Sequence, residues 1–210
     1  SSIPNRFWER LVSSQKAWSS TAVFPETDGT ENIVIATHDG QAVCFRETDV
    51  RAMGRDAMGV RGIRLREGDF VVGAGVAAEG KEILSITEKG YGKRTAVEEY
   101  RLTNRGGLGI RNYAVTDKTG PVVGIKIVDG SEDLLLVTQS GILIRTAVEN
   151  IRAAGRATQG VIVMRFKEEG DQVIALALAE REEEKEGAEE SAQEMQSPAA
   201  EESGQEDKQE

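Results

Sequence analysis

Thr37-His38-Asp39-Gly40, Thr87-Glu88-Lys89-Gly90 and Thr138-Gln139-Ser140-Gly141 are three copies of one pattern, Thr-x-x-Gly, at spacings of 50 and 51 residues. An apolar run precedes each copy: Ile33-Val34-Ile35, Ile83-Leu84-Ser85-Ile86 and Leu134-Leu135-Leu136-Val137. A second short run ending in a basic residue follows each: Val43-Cys44-Phe45-Arg46, Lys93-Arg94 and Ile142-Leu143-Ile144-Arg145. Farther on, another arginine recurs in register as Val50-Arg51, Tyr100-Arg101 and Ile151-Arg152. One Thr-x-x-Gly carries no information. Three with the same flanks mark a repeated unit, and a period near 50 points to a propeller or solenoid.

Apolar runs of four to six residues, separated by Gly-containing turns, read as strands joined in hairpins. Gly40, Gly90 and Gly141 sit where a tight turn needs positive φ. A Gly- and Arg-rich loop follows each recurrent arginine, and two more strands come after it. Ile63-Arg64-Leu65 and Phe70-Val71-Val72 supply them in the first unit, Val122 to Ile127 stands at the matching place in the second, and Val161 to Phe166 with Val173 to Leu178 supplies the third. Four strands per unit is the arithmetic of a propeller blade. No helical periodicity persists between Glu31 and Ala179. The sequence therefore predicts an all-β array of about three four-stranded blades over 31–80, 81–130 and 131–180. Three blades do not close a ring, so we expect the chain to be the C-terminal half of a larger domain.

Two flanking segments read differently. Residues 1–30 hold both tryptophans, Trp8 and Trp18, and Phe7, Trp8, Leu11 and Val12 fit one face of a short helix. Residues 181–210 carry 12 acidic and 3 basic side chains and no apolar run, the composition of a disordered tail. That tail accounts for nearly all of the net charge of −10, because residues 31–180 hold 21 acidic and 20 basic residues. The acidity thus does not exclude an anionic ligand for the blades. The tail either solubilises the chain or competes with such a ligand.

Cys44 is the sole cysteine, so no internal disulfide forms. His38 is the sole histidine, which argues against a metal centre or a His-dependent triad. The sequence shows no phosphate loop, no nucleophile elbow, no signal-peptide core and no apolar stretch long enough to span a membrane, and a cytoplasmic location is the default.

The recurrent cations are what remains. Arg46, Arg51, Arg55 and Arg61 come from the first unit, Lys93, Arg94, Arg101 and Arg105 from the second, Arg145, Arg152 and Arg156 from the third. Units stacked about an axis place equivalent positions on one rim, so in-register charge becomes a curved positive band. Such a band suits bent duplex DNA gripped through its phosphates, without base-reading. The competing reading is that these cations pair with Glu47, Asp49, Glu98 and Glu149 as ordinary surface ion pairs. A protein-interaction propeller with acidic partners is a second alternative.

The strings Val50-Arg51-Ala52-Met53-Gly54-Arg55-Asp56-Ala57-Met58-Gly59-Val60-Arg61-Gly62-Ile63, Gly90-Tyr91-Gly92-Lys93-Arg94-Thr95 and Gly155-Arg156-Ala157-Thr158-Gln159-Gly160-Val161 resemble the C-terminal domain of the DNA gyrase A subunit over Glu31 to Ala179. The resemblance implies a β-pinwheel that wraps double-stranded DNA for ATP-dependent negative supercoiling. It also implies partnership with the remainder of the gyrase A subunit, and with the gyrase B subunit, in a bacterial, nucleoid-associated setting. ATP, Mg and the cleaving tyrosine then belong to other domains, and this chain holds no cofactor of its own. The A subunit of topoisomerase IV is the rival within the same fold. The family's basic Gly-rich box is not found: Thr103-Asn104-Arg105-Gly106-Gly107-Leu108-Gly109 keeps one arginine and three glycines. Tyr91, Tyr100 and Tyr113 lack the setting of the family's catalytic tyrosine, and Val161-Ile162-Val163 replaces the basic position held by Arg61.

Overall fold

The hairpins form because the Thr-x-x-Gly turn satisfies its own backbone. The computed structural model describes residues 27–51 and 60–181. The expected helix around Trp8, the loop bearing Arg55 and the acidic tail beyond Arg181 lie outside the described residues. Strands β1 (Asn32–Thr37) and β2 (Gln41–Arg46) make the first hairpin. In it the Gly40 amide donates to the Thr37 carbonyl at 3.1 Å and the Gln41 amide to Thr37 Oγ1 at 3.2 Å. The same pair of bonds recurs at Thr87 and at Thr138. The threonine hydroxyl thus does in each unit what one more backbone acceptor would do.

The outer partner of each first strand comes late in the unit. β3 (Val71–Val76) pairs antiparallel with β1. In the second unit β4 (Glu82–Thr87) pairs with β5 (Tyr91–Ala96), β6 (Ile110–Arg111) follows, and β7 (Val122–Val128) returns to β4. In the third unit β8 (Glu132–Thr138) pairs with β9 (Leu143–Ala147), β10 (Val161–Ile162) follows, and β11 (Val173–Glu180) returns to β8.

The fourth strand of each sheet is where the structure departs from the sequence reading. β6 joins β2 of the preceding unit and β10 joins β5 of the preceding unit, giving sheet orders β3-β1-β2-β6 and β10-β5-β4-β7. A blade is therefore completed by its successor rather than built from 50 consecutive residues. The third sheet, β11-β8-β9, has three strands. Ile63-Arg64-Leu65, expected as a strand, joins no sheet: the Arg64 amide donates to the Gly107 carbonyl at 2.7 Å while Ile63 and Leu65 pack on the first sheet.

Glycine makes the exchange possible. The Gly40 carbonyl receives the amides of Asn112 and Tyr113, and the Gly90 carbonyl receives those of Val163 and Met164. A Cβ on Gly40 would lie 2.6 Å from the Tyr113 carbonyl oxygen, and one on Gly90 would lie 2.5 Å from that of Met164. Both residues also hold positive φ, 82° and 78°. Gly141 has the φ but no neighbour within 4 Å.

The cores lie between units. Val34, Ala36, Ala42 and Cys44 face Ile83, Val97, Tyr100, Val122 and Ile125 of the next unit. Leu84 and Ile86 face Leu134, Leu136, Val148, Ile151 and Met164 in the same manner. Ile33, Ile35, Val43 and Phe45 fill the opposite face of the first sheet with Val50 and Ile63. Burial on both faces explains why β1 and β4 read as unbroken apolar runs instead of alternating. The third sheet does alternate, and its open face leaves Leu143 61% exposed.

Candidate nucleic-acid interface

A short 3-10 turn ends each hairpin: Glu47–Asp49, Val97–Glu99 and Val148–Asn150. The residue after each turn, Val50, Tyr100 or Ile151, is buried: Tyr100 and Ile151 in inter-unit cores, Val50 on the opposite face of the first sheet. In extended backbone the next side chain points the other way. That next residue is Arg51, Arg101 or Arg152, and all three are exposed, with no side-chain hydrogen bond or ion pair among the described residues. The register that burial imposes on one residue delivers an outward cation at the next, once per unit.

The other expected site residues divide by position. Arg46 and Arg61 are also exposed and without a side-chain partner among the described residues. Arg105 and Arg156, four residues after Arg101 and Arg152, are clasps. Arg105 donates from Nε to the Asp49 carbonyl at 3.1 Å and from Nη1 to the Arg61 carbonyl at 3.3 Å. Arg156 donates from Nη1 to the Arg111 carbonyl at 2.8 Å and lies over the Tyr100 ring. Arg145 pairs with Asp133 at 2.7 Å and donates to the Glu180 carbonyl.

Lys93 and Arg94 are placed inside the second junction, not on the rim where the sequence reading set them. Lys93 is fully buried against the 155–158 loop. Arg94 pairs with Glu82 at 2.6 Å and donates from Nε to the Ile151 carbonyl at 2.6 Å. The cause is register: Lys93 equates with Val43 and Ile144, and Arg94 with Cys44 and Arg145, all counted from the unit threonine. These are mid-strand positions, and in the second unit the 151–158 segment of the next unit covers them, whereas Arg46 stands at a strand end.

Three of the four acids named as competitors have side-chain partners other than these arginines, and Asp49 receives Arg105 at its main-chain carbonyl. Glu47 accepts from the Thr27 hydroxyl, Glu98 from the Gly80 amide, and Glu149 from Arg181. Sequence reading overlooked Arg111. It follows Thr87 by 24 residues, as Arg61 follows Thr37, and its side chain is exposed on β6 while Arg156 holds its carbonyl. The spacing alone would have found it.

Other chemistry is sparse among the described residues. His38, Asp39 and Asp69 bring three ligand-type atoms within 4.8 Å. Asp69 Oδ1, however, already accepts the amides of Asp39 and Phe70 at 2.9 Å each, and His38 stacks on Phe70. Asp171 makes the matching turn contacts to Ser140 and Gln172 without any histidine, so the carboxylate is a turn fixture. Burial pushes the Cys44 thiol up to about 11 and lifts the Tyr100 and Tyr113 phenols well above their usual range. All three stay protonated and unreactive at neutral pH.

The three repeats match a known family. The profile described as "DNA gyrase C-terminal domain, beta-propeller" matches residues 31–78, 81–129 and 132–180. The chain belongs to this family. It is 49% identical over 142 residues to the DNA gyrase A subunit of Staphylococcus epidermidis, and equally to that of Staphylococcus aureus. Those matches take in 67% of this chain and 16% of each relative, so the chain spans about a sixth of their length. Among solved structures, a DNA gyrase A C-terminal domain aligns with TM-score 0.66 at 27% identity, over 73% of this chain and 52% of that one. A DNA topoisomerase IV C-terminal domain aligns with TM-score 0.68 at 26% identity, over 74% of this chain and 49% of that one. Both relatives' domains are therefore about twice as long as the matched region. Among the described residues no helix is long and apolar enough to cross a membrane.

Proposed function

We propose that this gyrase-family domain binds and bends duplex DNA through its phosphates, without sequence preference, within the gyrase A subunit. The observation that carries the reading is the outward, acid-free placement of Arg51, Arg101 and Arg152 at one position in three successive units. Arg61 and Arg111 add a second such position over two units. Cations repeating around a stack meet a polyanion only if it curves with them, so binding and bending are one event. The bent segment serves negative supercoiling by the whole enzyme, in partnership with the gyrase B subunit, while ATP and Mg are held outside this chain. Its setting is the bacterial cytoplasm, on the nucleoid. The 49% identity to the gyrase A subunit supports gyrase over topoisomerase IV.

The test is retardation of a nicked DNA circle by this chain, followed by ligation of the circle. Affinity falls steeply with salt, by ~10³-fold or more between about 50 and 200 mM if ~6 phosphates are neutralised. Ligation fixes a linking difference of one sign. Salt-insensitive binding, or ligation with no linking difference, overturns the reading. Preferential capture of an acidic protein surface would favour the protein-interaction alternative.

A further inference from the structure

Lys93 is the residue that the repeat does not require. Val43 and Ile144 stand at its place in the other units, so the shared hairpin forms without a cation there. Its ammonium is nonetheless fully buried, and Nζ donates to the carbonyls of Gly155 at 2.8 Å, Arg156 at 2.6 Å and Thr158 at 3.1 Å. Thr158 Oγ1 lies at 3.4 Å and the Tyr113 ring at 4.7 Å from the nitrogen. Three protons meet three carbonyls. The neutral amine has two protons and would aim its lone pair at the third carbonyl.

The loop so held carries one end of the cation row. Arg152 enters it and Arg156 leaves it to clasp the Arg111 carbonyl, while the Arg156 amide donates to Glu99 Oε2 at 3.1 Å. In the first unit Val43, an apolar side chain within the core of that sheet's outer face, stands where the ammonium would be. Burial is the largest influence on Lys93 and brings it down to about 8; Glu99 favours its charge and Arg156 opposes it. Tyr113 beneath it and Tyr100 beside Arg156 are uncharged near neutrality.

We propose that Lys93 is a positioning residue for the proposed DNA contact: its buried ammonium holds the 155–158 loop, and thereby Arg152 and Arg111, in register with Arg101. The inference rests on the DNA reading above. With the proton present the second junction is locked; with it gone one carbonyl is released and the far end of the arc shifts.

The experiment measures affinity of the whole chain for a nicked circle at fixed low salt from about pH 7 to about pH 9.5. It compares the native protein with Lys93→Met and Lys93→Arg, and follows thermal unfolding of each sample. Native affinity falls about tenfold across the range, the worth of about one charge-assisted hydrogen bond. Lys93→Met binds at the weakened level throughout, and Lys93→Arg, charged at every pH, keeps the neutral-pH affinity. Native thermal stability rises over the same range, because losing the proton relieves the cost of burying charge. Affinity and stability moving in opposite directions is a signature that a merely structural lysine does not give. A flat native affinity profile, in protein that binds at pH 7, overturns the role of Lys93. Should a variant fail to fold, the native profile decides by itself. Native protein that binds no DNA at any pH overturns the DNA reading, and this inference with it.

Discussion

Arg156 leaves the third unit and donates from Nη1 to the main-chain carbonyl of Arg111 in the second, at 2.8 Å. Arg105 makes the matching reach to Arg61 at 3.3 Å. Each clasp uses one arginine on a carbonyl and leaves the clasped arginine's own guanidinium facing solvent. Some of the expected cations thus set the geometry in which the others are displayed.

Arg156→Ala removes the clasp and leaves the Arg111 carbonyl to water. We expect a loss of about 1–2 kcal/mol in stability, read by urea unfolding, with DNA affinity falling alongside. Arg105→Ala should cost the same or less, since its bonds are longer. Unchanged stability in both would make the clasps incidental.

Arg51→Ala, Arg101→Ala and Arg152→Ala should each weaken DNA binding about equally across sequences. Each should lower the slope of log affinity against log salt by ~1. Stability should stay within about 0.5 kcal/mol, as for exposed sites without partners. Binding titrations over a salt series check this, and three unchanged slopes would remove these arginines from the interface.

Gly90→Ala and Gly141→Ala test the strand exchange with one chemical change. Both force an L side chain into positive φ, at about 1–2 kcal/mol. Only Gly90 also carries the next unit's Met164 carbonyl at 2.5 Å from the added Cβ. Gly90→Ala should therefore lower the melting temperature well beyond Gly141→Ala. Equal shifts would mean that the junction has room to relax.

Lys93 makes the pH dependence of folding unusual in sign. Its pKa falls from 10.5 in the free side chain to about 8 in the fold. Between those values the unfolded chain holds the extra proton, so stability rises with pH there and is level below about 8. Thermal melts of native protein and Lys93→Met across this window should differ in slope, the variant lacking the rise.

The acidic tail is best removed after Arg181, because Arg181 pairs with Glu149 at 3.0 Å and lies 3.5 Å from Asp133. Truncation there should tighten DNA binding if the tail competes for the cation row. Identical affinity with and without the tail would leave it a solubilising segment.

Much of the architecture was legible in the chain itself. The Thr-x-x-Gly turns, their apolar flanks and the recurrent arginine followed from period and pattern, because a turn is a local problem solved by a hydroxyl and a glycine within four residues. The reach of Arg51, Arg101 and Arg152 to solvent was equally local, since it depends on alternation from a buried neighbour. Which sheet receives Ile110–Arg111 and Val161–Ile162 was decided only in three dimensions, where the Gly40 and Gly90 carbonyls offer acceptors that their own units cannot use. The fate of Lys93 was settled there too. A cation in a sequence is only a charge; whether it meets water, a carboxylate or three carbonyls depends on which loop the packing of the next unit lays across it.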